Sequence, residues 1–297
     1  MNNLNNDFDY IEVKNLSKSF GNTKALDDFN ANFKKNAING LMGRNSAGKT
    51  TFLDIFANRK YANNGEIFYN GKSVYENDDV LEKLFYSTEK IIGLNETKLK
   101  KIIERILRIR KDFDIEYCNK LIDTFGVDVN KRFNTLSSGY KTIFLDILNL
   151  SSNAEIMLFD EPVSGMDVNH RELFYKLLLE KYEELNNTII LSTHLIEEVS
   201  PILEYIVIVH EGRKMYECEA DKIINNTYVI RGEEENLKAI KDKFNVISFE
   251  KNKLYVINTK NENFDNIEIN KKLYKIENVS LQETFMQIIK KGENYDL

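Results

Sequence analysis

The chain has 297 residues, 42% of them hydrophobic, enough to build one large or two modest packed domains. A formal net charge of -6 excludes the broad basic face that gripping nucleic-acid phosphates requires, so no nucleic-acid partner is expected. The two cysteines, Cys118 and Cys218, lack paired spacing; they exclude a disulfide framework and a cysteine zinc site, and read as reduced thiols of a cytosolic protein.

The polar start, residues 1–7, carries no apolar stretch of the kind a secretory leader needs. The longest apolar runs, residues 156–159 and 205–209, have strand length and fall far short of the ~20 residues of a membrane helix. Any tie to a membrane is therefore expected to run through a partner.

In chain order, residues 11–14 alternate as a strand. Residues 37–42 read as a short strand entering Gly43-Arg44-Asn45-Ser46-Ala47-Gly48-Lys49-Thr50, and residues 50–57 read as the helix that follows. The eight-residue segment fits G-x-x-x-x-G-K-[ST], the loop that wraps nucleotide phosphates. Its chemistry is that of the backbone: Gly43 and Gly48 permit close approach, and successive N–H groups make a nest for phosphate oxygens. The helix start adds unpaired N–H groups and its positive end. Lys49 is placed to reach the β- and γ-phosphates, and the Thr50 hydroxyl to ligate Mg²⁺.

Residues 65–72 form a strand closing on an Asn70-Gly71 turn, a hairpin signal. From about residue 95 to residue 150 the texture turns helical. Leu99, Ile102, Ile103, Ile106 and Leu107 share one helical face, and Ile115, Cys118, Leu121, Ile122 and Phe125 another. Strands return at 155–159, continuous and apolar as a doubly covered parallel strand should be, and at 188–192, with a helix near 169–185 between them. Beyond residue 226 come short strands at 228–230, 246–249, 254–257 and 273–276. Helices near 234–244 and 281–290 accompany them. The alternation makes this an α/β protein.

Asp160 and Glu161 follow the apolar strand. In an open α/β sheet, ligands bind beyond the carboxyl ends of the strands, so Asp160 is expected in the Mg²⁺ shell and Glu161 as the group that polarises the attacking water. His194 follows the next strand, and the same rule brings it beside Glu161, where an imidazole can contact the γ-phosphate. His170 and His210 read as ordinary structural histidines.

Leu136-Ser137-Ser138-Gly139-Tyr140 resembles the LSGGQ signature of ATP-binding cassette (ABC) ATPases. Ser164-Gly165-Met166-Asp167 resembles that family's D-loop, and Ser192-Thr193-His194 its switch-histidine motif. Phe20 falls where the family stacks an aromatic ring on adenine. The resemblance spans roughly residues 9 to 220, with five motifs in order. It implies a P-loop NTPase of the ABC ATPase fold, with a helical subdomain at about 90–150 and an N-terminal antiparallel β part. Residues 1–226 would form the ATPase domain and 227–297 a small C-terminal α+β accessory domain.

The resemblance also implies the cofactors ATP and Mg²⁺. Asn45, Ser46, Ala47 and Thr51 join Gly43, Gly48, Lys49 and Thr50 in holding nucleotide. Such domains pair head to tail, so Ser137, Gly139 and Asp167 would serve the nucleotide of a second ATPase subunit, identical or not. Three positions depart from the family pattern. Ser46 stands where glycine is usual, which suits serine if its φ is negative. Ser138 and Tyr140 replace the second glycine and the glutamine of the signature. Glu89, in Tyr86-Ser87-Thr88-Glu89, holds the place of the Q-loop glutamine, a carboxylate still able to ligate Mg²⁺. The expected protein is the ATPase subunit of a transporter, peripheral on the cytoplasmic face of the membrane and docked on an integral membrane subunit. The C-terminal texture resembles Gram-positive exporters of peptide antibiotics, bacitracin type, and of phenol-soluble modulins. An importer ATPase or a soluble ABC protein is the alternative.

Overall fold

The computed structural model describes residues 9–88, 96–258 and 273–293. Strands β1 (Tyr10–Phe20) and β2 (Thr23–Lys34) form a long hairpin that precedes β3 (Ile38–Met42) and helix α1 (Lys49–Phe56). Next come β4 (Asn64–Tyr69), β5 (Lys72–Ser73), the short α2 (Asp78–Leu81) and β6 (Leu84–Tyr86). The helical stretch comprises α3 (Leu99–Ile109), α4 (Ile115–Phe125) and α5 (Ser138–Leu150). The chain returns through β7 (Ile156–Asp160), α6 (Val168–Leu185), β8 (Thr188–Thr193), α7 (Ile196–Val199), β9 (Tyr205–His210), β10 (Arg213–Glu219) and α8 (Asp221–Ile224). It ends in β11 (Thr227–Arg231), α9 (Glu234–Ile240), β12 (Asn245–Glu250), β13 (Lys253–Ile257), β14 (Lys275–Asn278) and α10 (Leu281–Glu293).

The central sheet has the order β10-β9-β3-β8-β7-β6, parallel except for β10 at its edge. Its apolar runs are buried on both faces, and the pleat sends alternate residues to opposite sides. Ile156, Leu158, Ile190, Val207 and Val209 pack toward α1 and the antiparallel β layer. Met157, Phe159, Ile189, Leu191, Ile206 and Ile208 pack toward α5 and α6. Register pairs Met42 with Thr193 and Asp160 with Ser192. The carboxyl ends of β3, β8 and β7 are therefore level.

A second sheet, β2-β1-β4-β5, is antiparallel and covers one face. The Asn70-Gly71 turn joins β4 to β5, with φ of 51° and 71°, the left-handed pair that this tight hairpin requires. β2, β6 and β10 were not foreseen: β2 carries Asp27, Asp28, Asn30 and Asn32 among its apolar residues, β6 has only 3 residues, and β10 is half-buried from Lys214 to Glu219.

The C-terminal sheet has the order β12-β13-β11-β14, every neighbouring pair antiparallel. One face packs on α9 through Ile230, Leu237, Ile240, Leu254 and Val256. On the other side, Phe285, Ile288 and Ile289 of α10 share a core with Ile196 and Val199 of α7 and Ile223 of α8, so this unit is packed on the preceding chain rather than tethered. β14 begins at Lys275, later than the expected 273, because Leu273 and Tyr274 precede the pairing of Arg231 with Lys275. No helix among the described residues is long and apolar enough to cross a membrane.

Candidate functional site

β8 lies between β3 and β7, so three adjacent strand ends converge on one place. β3 delivers the loop 43–50. Gly48 has φ 107°, and a Cβ there would sit 2.4 Å from the Ala25 carbonyl oxygen, so glycine is required. The turn between β9 and β10 braces the loop from behind: Gly212 N–H donates to the Ala47 carbonyl at 3.0 Å, and Asp27 N–H donates to the Gly212 carbonyl at 3.1 Å.

Ser46 overturns one expectation. Its φ is 67°, in the left-handed region, so the serine does not occupy a negative-φ site. The loop geometry demands a conformation that costs an L-residue roughly 1–2 kcal/mol.

Lys49 is buried, and its ammonium is fully engaged. Nζ donates to the Gly43 carbonyl at 2.7 Å and the Arg44 carbonyl at 3.2 Å, and lies 3.0 Å from Glu161 Oε1. Thr50 Oγ1 donates to Asp160 Oδ2 at 2.7 Å, and Ser192 Oγ donates to Asp160 Oδ1 at 2.6 Å. Glu161 has φ 52°, held by its N–H donating to the Ser192 carbonyl at 3.0 Å and by its carbonyl accepting from Ser164 N–H at 3.0 Å. His194 Nδ1 lies 2.8 Å from Glu161 Oε2, and its backbone N–H donates to the same oxygen at 3.3 Å. The structure thus brings Lys49, Thr50, Asp160, Glu161 and His194 together.

The donor set of Thr50 and Asp160 is hard oxygen at the mouth of a phosphate-type loop. It fits Mg²⁺, which takes one or two protein oxygens and completes its shell with phosphate and water. Among the described residues no group of three or more His, Cys, Asp or Glu could hold a metal on its own.

Other expected residues stand as follows. Asn45 and Ser46 are exposed in the loop, Ala47 is buried, and Thr51 is half-buried on α1. Phe20 ends β1 with its ring 46% exposed, and the ammonium groups of Lys18 and Lys60 lie 5.3 and 5.2 Å from the ring centroid. Glu89 lies outside the described residues.

The signature segment meets the D-loop rather than the loop 43–50 in the contacts of this chain. Ser137 is exposed and caps α5, its Oγ accepting from Tyr140 N–H at 3.3 Å. Gly139 is buried: a Cβ there would lie 2.3 Å from the Gly165 carbonyl oxygen, so its lack of a side chain serves packing. Asp167 caps α6. The His170 N–H donates to Asp167 Oδ1 at 3.0 Å and the His170 ring nitrogen lies 2.8 Å from Oδ2. That backbone bond first, then the ring, holds the Asp167 carboxyl below its ordinary range.

His170 was read as unremarkable, yet its ring lies 5.9 Å from that of Phe125 and 6.2 Å from that of Tyr140. It joins the signature to the D-loop, and the capping spacing Asp167–His170 was the available signal. Ser192 and Tyr86, the other hydroxyl partners of Asp160, were also missed. Ser192 was legible as the register neighbour of Asp160 once the strand order is known. Tyr86 carried no local signal of this contact.

The comparisons with known proteins agree with this geometry. The ABC transporter family model matches residues 26–164. The ABC transporter ATP-binding protein MJ1023 of Methanocaldococcus jannaschii is 30% identical over 214 residues, covering 69% of this chain and 76% of that protein. The ABC transporter ATP-binding protein YtrB of Bacillus subtilis is 27% identical over 189 residues, 64% of this chain, which spans 65% of YtrB's length. The bacitracin transport ATP-binding protein BcrA of Bacillus licheniformis is 26% identical over 217 residues, covering 72% of this chain and 71% of that protein. The fold matches the dimeric ABC transporter cassette MJ0796 with a TM-score of 0.59 at 24% identity, over 71% of this chain and 98% of the other. The chain belongs to the ABC transporter ATP-binding family: it is an ABC ATPase that binds nucleotide and hydrolyses ATP.

Proposed function

We propose that this chain is the ATPase subunit of an exporter and that its site is one half of a shared ATP site. The observation that carries the reading is the convergence of Lys49, Thr50, Asp160, Glu161 and His194 on three adjacent strand ends.

In this reading the backbone of residues 43–50, with Asn45 through Thr51, cradles the phosphates, and Phe20 stacks on adenine. Lys49 leaves Glu161 for the β- and γ-phosphates. Glu161, freed from the ammonium, turns its carboxylate to the attacking water and accepts its proton, while His194 steadies that carboxylate and reaches the γ-phosphate. Mg²⁺ held by Thr50 and Asp160 would neutralise charge developing on the phosphates. Glu89 takes the Q-loop position. Ser137, Gly139 and Asp167 face the nucleotide of a second ATPase subunit, and the start of α5 supplies N–H groups to its γ-phosphate.

Residues 1–226 form the ATPase domain and 227–297 an accessory unit. The helical stretch of about 90–150 docks an integral membrane subunit, which places the protein at the cytoplasmic face of the membrane. The relative named for bacitracin transport supports a peptide antibiotic or toxin as cargo. Purification from detergent-solubilised membranes is expected to recover a protein with several apolar spans. Recovery of ribosomes or DNA instead would overturn the reading, and a partner that drives uptake would assign the chain to an importer.

A further inference from the structure

Tyr86 closes β6, pairing in register with Leu158 of β7, and its side chain is 4% exposed. Its phenol oxygen lies 3.4 Å from Asp160 Oδ2. Arg59, just beyond α1, grips the same residue twice. Its guanidinium sits 4.5 Å from the ring centroid, and Nη2 donates to the Tyr86 carbonyl. The next residue is anchored as firmly: Ser87 Oγ donates to the Leu145 carbonyl at 2.6 Å, and Ser87 N–H donates to Asn149 Oδ1 at 3.2 Å. Both acceptors lie on α5, and Asn149 Nδ2 donates back to the Leu158 carbonyl at 3.1 Å. The phenol is therefore aimed at Asp160 by fixed contacts to Arg59, α5 and β7.

Asp160 has two oxygens to satisfy. Ser192 serves Oδ1, while Thr50 and Tyr86 share Oδ2. Were Thr50 to give its hydroxyl to Mg²⁺, as in the function proposed above, Tyr86 would remain as the side-chain donor to Oδ2. A tyrosine here for packing alone would be served as well by phenylalanine, since the ring already lies in the apolar layer beside Leu84, Ile156 and Leu158.

We propose that Tyr86 is a positioning residue for the metal–nucleotide site, its hydroxyl holding Asp160 Oδ2 in the orientation that ligates Mg²⁺. The inference rests on the assignment of Thr50 and Asp160 to the metal. The test uses the full chain with Mn²⁺ as a spectroscopic probe and a non-hydrolysable ATP analogue. Electron paramagnetic resonance of the ternary complex should show Mn²⁺ held roughly three- to tenfold more weakly by Tyr86→Phe, the loss of one hydrogen bond to a ligating carboxylate. Binding of the analogue in EDTA and the thermal midpoint should stay at wild-type values. Mn²⁺ affinity equal to wild type in Tyr86→Phe would overturn this role alone. A wild-type chain that binds the analogue but recruits no Mn²⁺ would overturn the metal assignment and this role with it.

Discussion

The Lys49 ammonium lies 3.0 Å from Glu161 Oε1, and His194 Nδ1 lies 2.8 Å from Oε2 of the same carboxylate. In the proposed function Lys49 grips phosphate and Glu161 activates water, and here the two occupy each other. Each satisfies the other's charge in a half-buried place where an unpaired ion would be costly. On the proposed roles, nucleotide binding breaks this pair and so links occupancy of the loop to release of the carboxylate.

Replacing Lys49 by Ala removes charge-assisted contacts to phosphate. ATP affinity should fall roughly ten- to a hundredfold, measured by displacement of a fluorescent ATP analogue. Unchanged affinity would remove Lys49 from the phosphate site.

Ser46 carries a left-handed φ of 67°. Ser46→Gly relieves that strain, less the entropy that glycine adds to the unfolded chain, and should raise unfolding free energy by about 0.5–1 kcal/mol. Urea denaturation measures the change, and a loss of stability would show that the serine side chain supports the loop.

Gly139 abuts the Gly165 carbonyl, with no room for a Cβ. Gly139→Ala should cost about 1–3 kcal/mol through overpacking. It should also lower ATPase turnover by pushing the signature from the D-loop. A variant of wild-type stability and turnover would show that the two segments are not locked together.

Asp146 of α5 is 6% exposed, and burial raises its carboxyl well above the ordinary carboxylate range. The native state then holds a proton that the unfolded chain releases. Stability contributed by the protonated group is therefore present at acid pH and declines as pH rises above the unfolded value toward the raised one. Asp146→Asn removes this titration. Its stability relative to wild type should improve from pH 4 to pH 8, and a constant difference across that range would contradict the assignment.

The phosphate loop was legible because its chemistry depends on spacing within eight consecutive residues. Apolar continuity marked 155–159 and 188–192 as central strands, and helical periodicity marked α3 and α4. Contacts between distant segments were not legible. Nothing in Tyr86 or Ser192 announces a bond to Asp160 until the order β8-β7-β6 makes them neighbours. The left-handed φ of Ser46 is a property of the folded loop that no local pattern encodes. The change of texture beyond residue 226 marked the short strands of the C-terminal sheet. Its attachment through Phe285 and Ile289 of α10 depends on a core assembled from both parts.

If the loop 43–50 is one half of a shared site, as proposed, ATP must draw a second subunit over it. Light scattering of the purified Glu161→Gln chain tests it most directly, because that substitution should keep ATP bound while blocking water activation. With saturating ATP and Mg²⁺ a dimer is expected, and it should dissociate when ADP replaces ATP. A Glu161→Gln protein that binds ATP yet stays monomeric would contradict a shared site built from two copies of this chain.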